Sequence, residues 1–160
     1  MLKYIGVFIL SASISAYGSF LSSSLKGSCS LRKEVLQLLK DIERAIKYGN
    51  GQIIETIRNC KSPYLTKCGF CTSIYNTTNT ETVIATTLSE LSEKDREMLT
   101  AYFSKLGKTA FTDLELKNCK YYIDYFEKTQ NEYEKEVETK SLLYKKLGLI
   151  IGILTAIIFI

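Results

Sequence analysis

Residues 142–160 read LLYKKLGLIIGILTAIIFI, and this stretch decides how the rest of the chain is interpreted. No charged side chain occurs from Leu147 onward, and Lys145 and Lys146 stand directly before it. These fourteen residues would rise only about 21 Å as a helix, less than a hydrocarbon core of about 30 Å, so a buried core helix is a competing interpretation. The two lysines can extend their ammonium groups to lipid headgroups while residues 142–144 lengthen the apolar rod. We therefore predict a C-terminal transmembrane helix over residues 143–160.

The N-terminal segment is also apolar, but serines dilute it. Residues 4–25 carry no charge and are long enough to span a membrane. One interpretation is a cleaved signal peptide, with Lys3 as its basic region, residues 4–10 as its apolar region and the small residues 11–16 as its cleavage site. The other is an uncleaved transmembrane helix over residues 1–25, in which small residues such as Ala12 and Ala16 let another helix approach closely. Sequence alone leaves both interpretations open.

The middle of the chain, residues 26–142, is predicted to be one helical bundle between the two spans. The whole chain carries a net charge of only +4, with acidic and basic residues mixed, which does not favour nucleic acid as a partner. Basic residues are concentrated where the middle meets the membrane, at Lys26, Arg32, Lys33, Lys140, Lys145 and Lys146. By the positive-inside rule, we expect the bundle to lie in the cytoplasm.

Hydrophobic periodicity predicts the helices of this bundle. A first helix carries Leu31, Val35, Leu38, Leu39, Ile42 and Ile46, and short helices follow around residues 53–57, 62–74 and 83–88. Ser92 and Asp95 resemble a capping box, which opens a helix that closes at Gly107. From about residue 112 a heptad seam consists of Leu116, Cys119, Ile123, Phe126, Gln130, Tyr133 and Val137. The pattern predicts an all-α protein whose last helix is long and continuous into the membrane.

Motifs that could carry chemistry are weak in this chain. Cys68-Gly69-Phe70-Cys71 has the spacing of a redox dithiol, but we expect it inside a helix that Ser62 caps and Pro63 starts, with no strand before it. Zinc would need further ligands, and the chain contains no histidine. We predict no catalytic residue, no metal and no cofactor.

Two glycine motifs have structural explanations. Gly107-Lys108-Thr109 imitates the end of a phosphate-binding loop, but Tyr102 stands where that loop needs glycine. A helix stop is the better explanation. Gly148 and Gly152 form a small-xxx-small step in the C-terminal span, which makes them candidates for packing against another membrane helix.

The order of several weak motifs resembles one known family. The chain has an apolar N-terminal span, an AIKYG turn at residues 45–49, a helix from Asp95 to the Leu-Gly step at residues 106–107, and LYKKLGLIIG at residues 143–152. Taken together, these features resemble stage III sporulation protein AB over nearly the whole chain. The C-terminal block is the most specific part of this resemblance.

The resemblance implies a role in endospore formation. Family members sit in the mother-cell membrane around the forespore, within the channel complex that links the two cells. Their helical domain is similar to the platform protein of type II secretion and type IV pilus machines. This similarity implies coupling of a secretion-type ATPase, stage III sporulation protein AA, to other membrane components of the channel. We expect Lys94, Arg96 and Lys108 to face that ATPase, and membrane lipid to surround the spans, which can also self-associate.

Two other functions compete with this interpretation. One is an exported helical surface-binding module with a cleaved signal peptide and a C-terminal membrane anchor, which rests on residues 11–16. The other is a membrane-tethered thiol oxidoreductase, which rests on Cys68 and Cys71 alone. An intact N-terminus in the mature chain would oppose the first, and full function without the two cysteines would oppose the second.

Overall fold

The computed structural model of the chain describes residues 2–48, 53–76, 79–107 and 112–159. These residues form seven α-helices and no strand. The helices are α1 (Leu2–Lys47), α2 (Ile53–Arg58), α3 (Pro63–Lys67), α4 (Phe70–Asn76), α5 (Thr80–Thr87), α6 (Glu93–Phe103) and α7 (Thr112–Phe159). The predicted all-α fold with a long last helix is therefore confirmed.

The chain divides into two compact units. We call the first, Met1–Cys29 with Glu132–Ile160, the helix pair, and the second, Ser30–Asn131, the central unit. Helices α1 and α7 each contribute residues to both units. Both helices contain a stretch that is long and apolar enough to cross a membrane. The predicted span limits at residues 25 and 143 concern a membrane, and they stay predictions.

All seven helices contribute apolar side chains to the core of the central unit. From α1 and α7, only the parts that belong to this unit contribute. The stripe expected on the first helix is buried, and so are most of the seam residues expected on α7. To the core of the central unit, α1, α6 and α7 contribute Leu31, Val35, Leu38, Leu39, Ile42, Ile46, Leu99, Tyr102, Phe103, Cys119, Tyr122, Ile123 and Phe126. Helices α2 to α5 add Ile57, Leu65, Phe70, Val83 and Ile84 to the same cluster.

A short hydrogen-bonded chain joins α6, α7 and α1 inside this core. The hydroxyl of Tyr102 donates to Sγ of Cys119 at 3.3 Å, and the thiol of Cys119 donates to the carbonyl oxygen of Leu39 at 3.5 Å. Burial raises the pKa of the Tyr102 phenol, and it raises the pKa of the Cys119 thiol to about 11. Both groups therefore stay protonated and neutral in the core at physiological pH.

The helix expected over residues 62–74 is wrong in one respect. Gly69 has a φ of 72° and separates α3 from α4. Glycine adopts this left-handed conformation without the steric cost that a Cβ atom imposes, so the chain can turn there. The same conformation occurs at Gly107, but α6 already ends at Phe103, and the residues between them form turns.

The two expected helix caps have different outcomes. The hydroxyl of Ser92 accepts a hydrogen bond from the backbone N–H of Asp95, so the cap of α6 is confirmed. The side chain of Ser62 makes no such bond at α3. Instead, the carboxylate of Glu34 on α1 accepts the backbone N–H groups of Tyr64 and Leu65 at 2.8 and 3.0 Å. The first turn of α3 is therefore capped by a residue that is distant in sequence.

Candidate functional site

Helix α6 carries two of the three residues expected to face an ATPase. Lys94 is exposed, and its ammonium nitrogen lies 5.6 Å from the centroid of the Tyr125 ring. Arg96 is half-buried. Residues two apart on a helix point about 200° apart, so Lys94 and Arg96 flank Asp95 on opposite sides rather than form one patch. Lys108 lies outside the described residues.

Asp95, between these two basic residues, points into the protein and pairs with Arg32 of α1. Nε of Arg32 donates to Oδ2 of Asp95 at 3.0 Å, and the two side chains are only 1% and 3% exposed. The hydroxyl of Tyr125 donates to Oδ1 of the same carboxylate at 3.2 Å. A charged pair therefore lies inside the core where α1, α6 and α7 meet.

Helix α7 supplies further partners of the guanidinium group of Arg32. Nη1 donates to Oε1 of Gln130 at 2.6 Å and to the carbonyl oxygen of Phe126 at 3.3 Å. Nη2 donates to the hydroxyl of Thr129, and the Phe126 ring packs against the guanidinium with its centroid 4.8 Å away. Among the described residues, no buried side-chain nitrogen or oxygen lacks a hydrogen-bond partner. The cost of burying this charge is therefore offset by complete hydrogen bonding.

The ion pair corrects one expectation from the sequence. Arg32 was expected among the basic residues that flank the membrane. Its side chain is buried instead, as is that of Asp95. The sequence could have indicated the burial of Arg32, because this residue lies three positions before Val35 and seven before Leu39, within the apolar stripe of α1. Gln130 is likewise a polar residue at a position of the apolar seam of α7.

The network has no evident catalytic capacity. Its carboxylate, guanidinium, amide and hydroxyl groups bind one another. Burial, and then the charge of Asp95, raises the pKa of the Tyr125 phenol, so this hydroxyl acts as a hydrogen-bond donor at neutral pH. The arrangement holds three helices together and sets the position of α6.

In the helix pair, the structure places Gly148 of α7 against Gly18 of α1. A Cβ atom added to Gly148 would lie 2.9 Å from the Cα atom of Gly18, closer than real Cβ contacts allow. A Cβ atom added to Gly152 would collide with Ser15 Oγ and lie 2.9 Å from the backbone oxygen of Ser11. The two backbones therefore approach as closely as they do because both positions are glycine.

Serine hydroxyl groups of α1 bond across this contact. Ser11 donates to the carbonyl oxygen of Gly152 at 2.6 Å, and Ser15 donates to that of Gly148 at 3.4 Å. The hydroxyls of Ser22 and Ser141 lie 2.5 Å apart. We call these glycines and serines, Ser11, Ser15, Gly18, Ser22, Ser141, Gly148 and Gly152, the small-residue seam. Ala12 and Ala16, the alanines considered from the sequence, are exposed and lie outside the seam.

The cysteine motif differs from its expected setting. Cys68 caps the C-terminus of α3, whereas Cys71 lies in the first turn of α4, so Gly69 interrupts the helix in which both were expected. Burial raises the pKa of both thiols, that of Cys71 to about 12. A reactive dithiol needs a lowered thiol pKa, and here the shift has the opposite direction. This geometry gives no support to redox chemistry at the pair.

Metal and phosphate sites receive no support either. Within the described ranges, no three potential metal-ligating side chains come together. The backbone N–H of Gly107 donates to Oε1 of Glu115 at 2.6 Å, so a carboxylate of the protein already binds this donor. Lys108 and Thr109, the rest of that motif, lie outside the described residues.

Comparison with known proteins identifies one family. The family model described as stage III sporulation protein AB matches residues 3–160, nearly the whole chain. No curated protein and no solved structure matches the chain.

Proposed function

Because the chain belongs to the stage III sporulation protein AB family, we propose that it is a non-enzymatic coupling component of the sporulation channel. The helix pair lies in the mother-cell membrane around the forespore, and the central unit lies in the cytoplasm. There the central unit binds a secretion-type ATPase, stage III sporulation protein AA, and links it to other membrane components of the channel.

The sharing of two helices between two unlike units is the observation that carries this proposal. Residues 30–47 of α1 and 112–131 of α7 bury the core of the central unit, whereas their other ends form the helix pair. In the helix pair, large apolar side chains such as Phe8, Ile157 and Ile158 are 67–75% exposed. Each Å² of such surface costs about 25 cal/mol in water, which favours lipid as its solvent. One chain can thus bind a soluble partner and a membrane.

The interior of the central unit supports a role in binding rather than in catalysis. Its buried charged groups, Arg32 and Asp95, are used in holding helices together. The thiols of Cys71 and Cys119 are protonated because burial raises their pKa values to about 12 and about 11. A reaction would need an activated nucleophile or base, and these groups do not supply one.

Helix α6 is the surface to which we assign ATPase binding. Asp95 ties α6 to α1 and α7 from beneath, and Lys94 and Arg96 stand on either side of this attachment. Their side chains thus project from a helix whose position is set by buried bonds. Lys108, which lies outside the described residues, is the third residue that we propose to contact the ATPase.

Retention of the N-terminal helix fits the small-residue seam better than cleavage does. Cleavage near Ala16 would remove Ser11 and Ser15, which donate hydrogen bonds to Gly152 and Gly148. The exported-module alternative would therefore remove both serine hydrogen bonds and leave Gly152 without the segment of α1 that packs on it. We accordingly propose an uncleaved chain.

The test is binding of the purified ATPase to the full-length chain in detergent. We expect Lys94→Glu, Arg96→Glu and Lys108→Glu each to weaken binding at least about tenfold, or about 1.4 kcal/mol, because a like charge replaces an attractive one at the interface. Lys120→Glu is the matched control, since Lys120 is exposed on α7 of the same unit and the change in charge is identical.

The control separates two ways of failing. If Lys120→Glu weakens binding as much as the α6 variants do, net charge rather than the α6 surface governs the interaction. If none of the α6 variants changes the affinity, this surface is not the binding site. Absence of any binding by the unaltered chain would refute coupling to this ATPase.

A further inference from the structure

The register of the helix pair determines which residues of α1 and α7 lie at the same level. Ser22 meets Ser141, Gly18 meets Gly148, and Ser11 meets Gly152. As the residue number increases along α1, the number of the facing residue on α7 decreases, so the two helices are antiparallel. Residues that face each other lie at the same depth along the pair, so a membrane boundary located on one helix also locates the boundary on the other.

The boundary between charged and apolar sequence is sharp on α7 but not on α1. On α7 the charged residues end with Lys145 and Lys146, and the apolar run begins at Leu147. On α1 the uncharged run extends over residues 4–25, but its serines leave no sharp end to the apolar part of this run. The sequence of α1 alone therefore favours a span that ends near Leu25.

The boundary on α7 predicts a shorter membrane span for α1 when it is placed at the same depth on that helix. A Cβ atom added to Gly18 would lie 2.7 Å from the carbonyl oxygen of Tyr144 and 2.8 Å from the Cα atom of Gly148. The level of Lys145 and Lys146 thus coincides with that of Tyr17 and Gly18. A span that reached Leu25 would pass the level of Ser141 and carry Lys140, Lys145 and Lys146 into hydrocarbon, which is costly.

Aromatic side chains lie at the same level on both helices. Tyr17 is 63% exposed, Phe20 is 68% exposed and Tyr144 is 39% exposed, all on the outside of the helix pair. Tyrosine is enriched at membrane–water interfaces because its ring is apolar and its hydroxyl is hydrated. These residues and the two exposed lysines form a belt around the pair.

We propose that the membrane surface crosses the helix pair at Tyr17–Gly18 of α1 and Tyr144–Lys146 of α7, where Lys145 and Lys146 bind anionic phospholipid headgroups. Residues 19–24 of α1 then lie outside the hydrocarbon, in contact with headgroups and water. This inference concerns only the helix pair, and it does not depend on the proposed ATPase coupling.

Cysteine accessibility tests the level of the membrane surface. Ser19 and Ser23 are exposed, and their hydroxyls bond only to carbonyl groups four residues earlier on α1, so Ser19→Cys and Ser23→Cys remove no contact between helices. Ala12→Cys is the matched control, since Ala12 is exposed on the same helix. Trypsin releases residues 4–26 without a native cysteine, so mass spectrometry assigns the label directly.

In opened membranes that contain the full chain, a water-soluble maleimide should react with residues 19 and 23 at least about tenfold faster than with residue 12, because hydrocarbon excludes water and disfavours the reactive thiolate. Equal protection of all three positions would extend the span to Leu25 and overturn the proposal. Rapid labelling of all three would also overturn it, since residue 12 would then lie outside the hydrocarbon.

Lipid retention tests the headgroup contact. In native mass spectrometry from bilayers of phosphatidylglycerol and phosphatidylcholine, we expect the chain to retain phosphatidylglycerol preferentially. Lys145→Gln with Lys146→Gln should reduce this preference several-fold, because headgroup attraction falls with each lost charge. Lys117→Gln with Lys120→Gln, an equal change at exposed positions of the central unit, should leave it unchanged. An unaltered preference in the first variant would refute lysine-mediated headgroup binding.

Discussion

The helix pair and the central unit are built on the same two helices, but opposite kinds of side chain lie at their contacts. In the central unit α1 and α7 contribute large apolar side chains to one core, among them Leu39, Ile42 and Phe126, which are fully buried. In the helix pair they meet through Gly18 and Gly148, and the large apolar residues point outward. Burial of apolar surface drives the first contact in water, whereas lipid offers no such gain to the second. Close backbone packing and hydrogen bonds must hold the pair instead.

The polar groups differ in the same way. The seam of the helix pair uses neutral serine hydroxyls that donate to backbone carbonyls. The central unit buries a full ion pair, with Tyr125, Thr129 and Gln130 completing its hydrogen bonds. Loss of one partner should therefore be more damaging in the central unit, where a charge remains, than in the helix pair, where only packing is lost.

The largest effect is expected from Asp95→Ala in the central unit. The substitution leaves Arg32 charged and buried without its counterion, which typically costs about 3–5 kcal/mol. We expect a loss of this size in the free energy of unfolding of the full-length chain, followed by circular dichroism in detergent during urea denaturation.

Glu97→Ala is the control for this experiment, because Glu97 is exposed on the same helix and the charge removed is the same. Its effect should stay within about 0.5 kcal/mol, as for ordinary surface positions. If Asp95→Ala lost no more than Glu97→Ala, the buried pair would contribute nothing to stability.

A smaller effect is expected from Gly148→Ile in the helix pair. The side chain would enter space occupied by Gly18, and overpacking of this kind costs about 1–3 kcal/mol. A reporter pair, Ser22→Cys with Ser141→Cys, measures the loss, since the two hydroxyls lie 2.5 Å apart and the thiols should form a disulfide on oxidation. Tryptic peptides 4–26 and 141–145 contain no native cysteine, so their cross-link is unambiguous.

Gly6→Ile is the matched control, because nothing lies within 4 Å of a Cβ atom at Gly6. We expect Gly148→Ile to reduce the cross-linking yield about tenfold at a cost of about 1.4 kcal/mol, and Gly6→Ile to leave it unchanged. An equal yield in all three chains would mean that the close approach of the two glycines is not needed for the pair to form.

The sequence predicted features that depend on regular spacing along one helix. The α7 seam from Leu116 to Val137, the stripe of α1 and the Ser92 cap all follow from local patterns. The structure contains the stripe and the cap, and it buries every seam residue except Leu116 and Tyr133, which are half-buried. Membership of the sporulation family was also expected from the order of weak motifs, and the family match confirms it. The seam, the stripe and the cap depend on residues that are close in sequence, and the family resemblance depends on the order of motifs along the chain.

Features that depend on distant partners could not be predicted in the same way. Arg32 and Asp95 are 63 residues apart, and only the packing of α1 on α6 brings them together. The step between Gly148 and Gly152 indicated close packing, but it could not identify Gly18 as the opposing residue. The cap of α3 belongs to this class too, because its acceptor lies on another helix.

The smallest effect is expected at that cap, and it separates the local from the distant explanation of one helix start. Glu34→Ala removes the acceptor of the Tyr64 and Leu65 N–H groups, and loss of a capping acceptor costs about 0.5–2 kcal/mol. Ser62→Ala should change the free energy of unfolding by less than about 0.5 kcal/mol, because its hydroxyl makes no capping bond.

Glu34→Gln refines the comparison between the two helix starts. The amide oxygen of glutamine can still accept the two N–H groups, so this variant should recover most of the stability that Glu34→Ala loses. The charge of Glu34 would matter more than its hydrogen bonds if Glu34→Gln lost as much as Glu34→Ala, because a carboxylate also interacts with the positive end of the helix dipole. A larger loss from Ser62→Ala than from Glu34→Ala would instead restore the local cap that the sequence predicted, and α3 would then begin for the same reason that α6 does.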